Sequence, residues 1–149
     1  MPDALADLPA LVLRLQRELF IVASELAANP DARDRLVDGV TRVDEAMLNG
    51  VEECLAEHEG RMSMPREFVV PGETRLSAAL ELARTVLRRA ERRVATIVRA
   101  HEATGTWLAA YLNRVADLLW VLARVAEQGE QAGSVPARPD RHDPRRRTA

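Results

Sequence analysis

The sequence predicts an all-α fold, and three observations carry that prediction. Aromatic residues are only 3% of the 149 while alanine and leucine abound; β-branched residues never form an alternating run; and four long stretches repeat apolar side chains at helical spacing. With 47% hydrophobic and 30% charged residues, the chain suits one globular domain with a real core and is too short for two comfortable ones. Four main helices joined by turns predict an antiparallel bundle over residues 1–128. The remainder, 129–149, holds Pro, Gly and five arginines with no apolar period, and reads as a disordered tail.

The first helix spans Leu8 to Ala28. Asp7 stands at its N-cap position and Pro9 in its first turn; Leu11, Val12, Leu15, Leu19, Val22 and Leu26 keep its period, and Asn29-Pro30 ends it. Residues 31–40 form a connection with room for a turn of helix. A second helix runs from about Thr41, with Thr41 and Asp44 as a capping box, to His58, and Gly60 follows as its C′ residue. Val43, Met47, Val51, Cys54 and Leu55 line its buried side, so Cys54 is a packed thiol rather than a nucleophile. Pro65, Pro71 and Gly72 keep residues 61–73 irregular; Phe68 in that loop is either a plug for the bundle end or an apolar wall for a ligand. Thr74 or Ser77 caps the third helix, which continues to about Ala103. After Thr104-Gly105-Thr106 a fourth helix runs from Trp107 to about Glu127, apolar on nearly every side and therefore buried on nearly every side.

Composition excludes several chemistries. All 21 basic residues are arginine, so no lysine is present for a phosphate loop of Walker type, a Schiff base or a general base. Residues 1–128 carry 16 arginines against 20 acids, a mildly acidic surface that argues against nucleic-acid binding. One cysteine excludes an internal disulfide and suits a reducing cytoplasm. The three histidines have no metal-ligand spacing, and no signal peptide or membrane-spanning run is evident.

The third helix places charge where a core belongs. At about 100° per residue, Arg84, Arg88 and Glu91 share one narrow face, directly beside the apolar stripe of Leu80, Leu87 and Val94. On the fourth helix Asn113, Asp117, Trp120 and Arg124 fall within about 60° of one another. Exposed i, i+3 ion pairs would explain the first face alone. A short connection makes the two helices antiparallel neighbours, however, so both polar faces could line one cleft, with paired guanidiniums suited to an anion.

The runs LARTVLRRAERRV (82–94) and YLNRVADLLWVLAR (111–124) together resemble the signature of the PduO-type corrinoid adenosyltransferases, the ATP:cob(I)alamin adenosyltransferases. EFVVPGETRLSAAL (67–80) resembles the loop and helix start that precede it, and LVLRLQRELFIVASELA (11–27) the family's second helix, so the likeness spans roughly residues 8 to 126. The resemblance implies a helix bundle, normally of five helices, that forms a homotrimer with ATP and corrinoid bound between subunits. It also implies transfer of the 5′-deoxyadenosyl group of ATP to cob(I)alamin with release of triphosphate, with Mg²⁺ accompanying the nucleotide, and a cobalamin-dependent enzyme or reductase as a further partner. Carried over by position, Arg84 and Arg88 bind phosphate, Glu91 contacts the nucleotide near its ribose and Asn113 contacts ATP. Asp117 holds the adjoining network on the corrinoid side, and Arg88, Glu91 and Asp117 form the catalytic set. Phe68 matches the phenylalanine of an apolar wall beneath the corrin, and Trp120 stands where phenylalanine is commoner.

The family's glycine-containing TRxGDxG-like segment and the acid that pairs with the arginine at the Arg84 position have no counterpart here; no glycine precedes Gly39. Without them Arg84 lacks that carboxylate and ATP binding weakens badly; either the chain's start here lies downstream of the real one, or another polypeptide supplies the segment, or the chain is a shortened relative that binds corrinoid without transferring adenosyl. The alternative function is a non-catalytic corrinoid-binding or escort protein.

Overall fold

Four α-helices, α1 (Leu8–Ala27), α2 (Glu45–Glu59), α3 (Arg75–His101) and α4 (Leu108–Gly129), make up the bundle, with a 3-10 turn at Pro30–Arg35 between the first two. The computed structural model describes residues 5–101, 105, 107–132 and 134–137. Side-chain bonds between helices fix their directions. From Glu91–Asn113 to Glu81–Arg124 the position on α3 falls as that on α4 rises, so these two run antiparallel. Glu25 bonds to Val43 at the α2 entrance while Arg14 reaches Gly50, which makes α1 antiparallel to α2. The result is an up-down-up-down bundle in which α4 packs against both α2 and α3.

Local chemistry explains most of the boundaries. α1 begins beside Pro9, but the Asp7 side chain makes no capping bond. Asp44 caps α2, accepting from Met47 N at 2.9 Å; Thr41 instead accepts from Val37 N at 2.8 Å. The expected Thr41–Asp44 box is therefore divided, the hydroxyl closing the preceding turn and the acid starting a helix four residues later than anticipated. Gly60 ends α2 with φ −64°, a right-handed conformation that needs no glycine. At α3 the two expected caps act together: Ser77 N donates to Thr74 Oγ1 (3.1 Å) and Thr74 N to Ser77 Oγ (3.0 Å), a reciprocal box with serine in the usual glutamate position.

The core runs the length of α4, where Leu108, Tyr111, Leu112, Val115, Leu118 and Leu122 are each at most 2% exposed. Leu8, Leu11, Leu15 and Val22 of α1, Val51 and Leu55 of α2, and Leu80, Leu87 and Val94 of α3 close around it. Polar bonds also run through this core. Tyr111 donates to Glu18 at 2.6 Å, and burial, then this bond, hold its phenol well above the ordinary value. Glu25, 2% exposed, accepts from Val43 N at 2.8 Å and Gly105 N at 2.6 Å. One carboxylate thus fastens the α1–α2 and α3–α4 connections together at the same end of the bundle.

At the opposite end the chain after α4 does not leave the fold at Gly129 as expected. Val70 N donates to Val135 O at 2.7 Å and Ala137 N to Phe68 O at 2.6 Å, an antiparallel bridge that seats residues 134–137 along the loop. Gln128 adds a two-way clamp with the Ser63 backbone, at 3.0 and 2.8 Å. Unpaired loop backbone finds partners in the next available chain, which no side-chain periodicity announces. Residues 138–149, the rest of the expected tail, lie outside the described residues. No helix among those described is long and apolar enough to cross a membrane.

Candidate functional site

The polar faces of α3 and α4 meet at Glu91. Its Oε2 accepts from Arg88 Nη1 at 2.6 Å and its Oε1 from Asn113 Nδ2 at 3.2 Å. Both carboxylate oxygens are committed, one along the helix and one across the interface. The Glu91 side chain is 20% exposed and that of Arg88 40%, so the acid is sheltered while the guanidinium remains open to a solute.

Arg84 lies one turn before Arg88. It donates to Glu81 Oε2 at 3.4 Å and borders an open groove of about 390 Å³ lined by Pro71, Gly72, Ala78, Glu81, Leu82, Arg84 and Thr85. Gly72 makes the groove possible: its φ is +97°, and a Cβ there would meet Ala78 Cβ at 3.3 Å. The loop thereby passes close over the first turns of α3. Arg84 at the groove and Arg88 one turn further on are each paired with one acid and partly exposed, and guanidinium N–H donors of this kind suit phosphate oxygens.

Asp117 does not join this cluster. Its Oδ2 accepts from Arg114 at 2.9 Å, and Arg114 also reaches Glu52 of α2 at 3.3 Å. On the wheel Asp117 falls between Asn113 and Arg114, and the flanking cation holds it on the α2 side. Trp120 is half-buried, with the Arg124 guanidinium 5.6 Å from its ring centroid. Phe68 is 83% exposed, so it does not plug the bundle end.

Sequence reasoning placed Arg124 on a polar stripe without recognising its role. It is fully buried and donates to Glu81 at 3.1 Å and Glu127 at 2.9 Å. Glu81 therefore touches both Arg124 and Arg84. The available signal was an arginine and an acid on facing stripes of two helices expected to be neighbours. Arg84, expected to lack the carboxylate of an earlier helix, pairs instead with Glu81 of its own helix, three residues back.

The family described as cobalamin adenosyltransferase matches residues 2–126. A cobalamin adenosyltransferase of Cupriavidus metallidurans is 35% identical over 124 residues, covering 83% of this chain and 62% of that protein. A corrinoid adenosyltransferase of Mycobacterium leprae is 42% identical over 124 residues, covering 78% of this chain and 62% of that one. The chain thus spans somewhat under two thirds of the length of these relatives. Among solved structures, a variant PduO-type ATP:corrinoid adenosyltransferase from Lactobacillus reuteri complexed with cobalamin and ATP superimposes with a TM-score of 0.80 at 26% identity, over 93% of this chain and 72% of that one. The family match over most of the chain and the shared fold lead to one assignment: this chain belongs to the cobalamin adenosyltransferase family.

Proposed function

We propose that the protein transfers the 5′-deoxyadenosyl group of ATP to cob(I)alamin, giving adenosylcobalamin and triphosphate. The observation that carries this reading is the bonded set Arg88–Glu91–Asn113 spanning two helices, with Arg84 one turn away on an open groove. The Lactobacillus reuteri relative, complexed with cobalamin and ATP, supports both ligands.

In this reading Arg84 and Arg88 take the triphosphate, and their charge stabilises the negative charge that grows on it as the C5′–O bond breaks. Glu91, fixed at both oxygens, sits by the ribose, and Asn113 holds the nucleotide from α4. The cobalt supplies the nucleophile; the chain's contribution is to align C5′ with it and keep water out. Phe68 and Trp120 supply apolar surface on the corrinoid side, and Asp117 with Arg114 braces the helix between them. Mg²⁺ would enter on the phosphate oxygens, as it commonly does; among the described residues no group of three His, Cys, Asp or Glu side chains is placed to hold a metal. A cytoplasmic homotrimer, with sites completed between subunits and a reductase or cobalamin-dependent enzyme as partner, is the assembly that goes with this reading.

The test is incubation with ATP, Mg²⁺ and chemically reduced cobalamin, followed by the light-sensitive spectrum of adenosylcobalamin. Product that disappears in Arg88→Ala supports the proposal. Corrinoid binding with no product would overturn it in favour of an escort role.

A further inference from the structure

Arg124 is the largest fully buried side chain of the protein, and the proposed reaction leaves it without a task. Its Nη2 donates across the interface to Glu81 Oε1 at 3.1 Å and along α4 to Glu127 Oε1 at 2.9 Å. Ser134 Oγ donates to the other oxygen of Glu127 at 2.6 Å. Glu81 in turn gives its second oxygen to Arg84 at 3.4 Å. A continuous series of polar contacts therefore leads from the segment after α4, through the core, to the groove arginine.

As a stability device this cluster is poor. Arg124 Nε and Nη1 are buried with no hydrogen-bond partner, and apolar residues of similar volume commonly replace buried ion pairs at no loss. Its geometry has a different consequence. Glu81 is pinned by a cation that does not move, and Arg84 is anchored to the pinned acid by a contact of 3.4 Å, against 2.6 Å for Arg88 to Glu91. Arg124 and Arg84 are balanced by Glu127 and Glu81, but Arg84 is held through one nitrogen by a single long contact, so the remaining N–H groups of its fork stay available to an anion in the groove.

We propose that Arg124 and Glu81 are positioning residues that aim Arg84 at the triphosphate. This rests on the adenosyl-transfer reading for the identity of the ligand, and it adds to that reading one residue of the groove lining, Glu81, and one buried behind it, Arg124, neither of which donates to the anion. The prediction concerns coupling. Glu81→Asp keeps the charge but shortens the reach by one methylene, so the acid can no longer bridge both arginines.

The experiment is calorimetric titration of the full chain with inorganic triphosphate, and with ATP and Mg²⁺, for wild type, Glu81→Asp, Arg84→Ala and the double variant. Releasing one immobilised arginine should weaken binding about three- to tenfold, with no further loss when Glu81→Asp is added to Arg84→Ala. In turnover assays KM for ATP should rise while kcat and KM for cobalamin stay within about twofold. Arg124→Lys, which keeps the buried charge without the fork, should reproduce the weakening. A fall in Tm with unchanged triphosphate affinity, or equal losses with and without Arg84, would overturn the proposal. If the wild type binds triphosphate yet forms no adenosylcobalamin, the transfer reading falls and the positioning one is decided by the binding data. If it binds no triphosphate, both fall.

Discussion

Asn113 donates to Glu91 at 3.2 Å across the α3–α4 interface while Arg88 holds the other carboxylate oxygen at 2.6 Å. The acid is therefore oriented from two helices at once, and neither donor can be lost without freeing it. Asn113→Ala should lower kcat/KM about 10- to 100-fold. Being half-buried rather than sealed, the site should lose about 1 kcal/mol or less of stability. Steady-state kinetics beside a urea titration checks both.

Phe68 separates binding from folding. At 83% exposed it contributes little to the core, so Phe68→Ala should leave unfolding free energy within about 0.5 kcal/mol of wild type. If its ring forms the corrinoid wall, the same substitution should depress cobalamin-dependent turnover and leave nucleotide affinity unchanged. A stability loss matching the activity loss would instead make it a packing residue.

The pairing of residues 68–70 with 135–137 predicts a local effect of shortening the chain. Ending it at Ala132 removes the acceptor for Val70 N at Val135 O, and the Val70 amide should exchange with solvent at least about tenfold faster. Amides in the middle of α4 should keep their protection. Amide-resolved hydrogen exchange on both chains reads this directly.

Alkaline pH provides a fourth check. The chain has no lysine and one tyrosine. Burial, then the bond to Glu18, raises the Tyr111 phenol above its ordinary value, so the folded state keeps this proton longer than the unfolded one does. Its stabilising effect is whole below the unfolded value of about 10. Above that the unfolded chain releases the proton first, and stability should fall by at most about 1.4 kcal/mol per pH unit. Tyr111→Phe should flatten the dependence, as urea titrations from pH 9 to 11.5 would show.

Gly105 and Glu25 give a fifth. A Cβ at Gly105 would stand 2.8 Å from Glu25 Oε1 and 3.2 Å from Arg42 Cδ, so Gly105→Ala should cost about 1–3 kcal/mol. Glu25→Ala leaves the Val43 and Gly105 amides without their acceptor and should cost about 2–4 kcal/mol. Together they should cost less than the sum, because the clash needs the carboxylate.

Apolar spacing was enough to locate all four helices, because α1 to α4 each bury a stripe or, for α4, nearly a whole circumference. It also brought Arg88, Glu91 and Asn113 to one place, since a short connection leaves few ways to pack two long helices. Periodicity failed where a choice among polar partners decides the outcome. Asp117 had both Asn113 and Arg114 beside it, and the cation took it. Glu25 satisfies backbone amides 18 and 80 residues away, partners that no side-chain period announces. The seating of residues 134–137 on the loop depends on main-chain hydrogen bonds, which any sequence without proline at the donor positions can make.

The single carboxylate of Glu25 makes the two ends of the bundle mechanically unequal. At its end both chain reversals share one fastener, so neither hairpin can peel away alone. At the other end the Phe68 loop is tied to the segment after α4 by separate contacts, the main-chain bridge and the Gln128 clamp, beside the buried Arg124 cluster. Local opening should therefore come more easily at the groove end, while the end fastened by Glu25 stays in register.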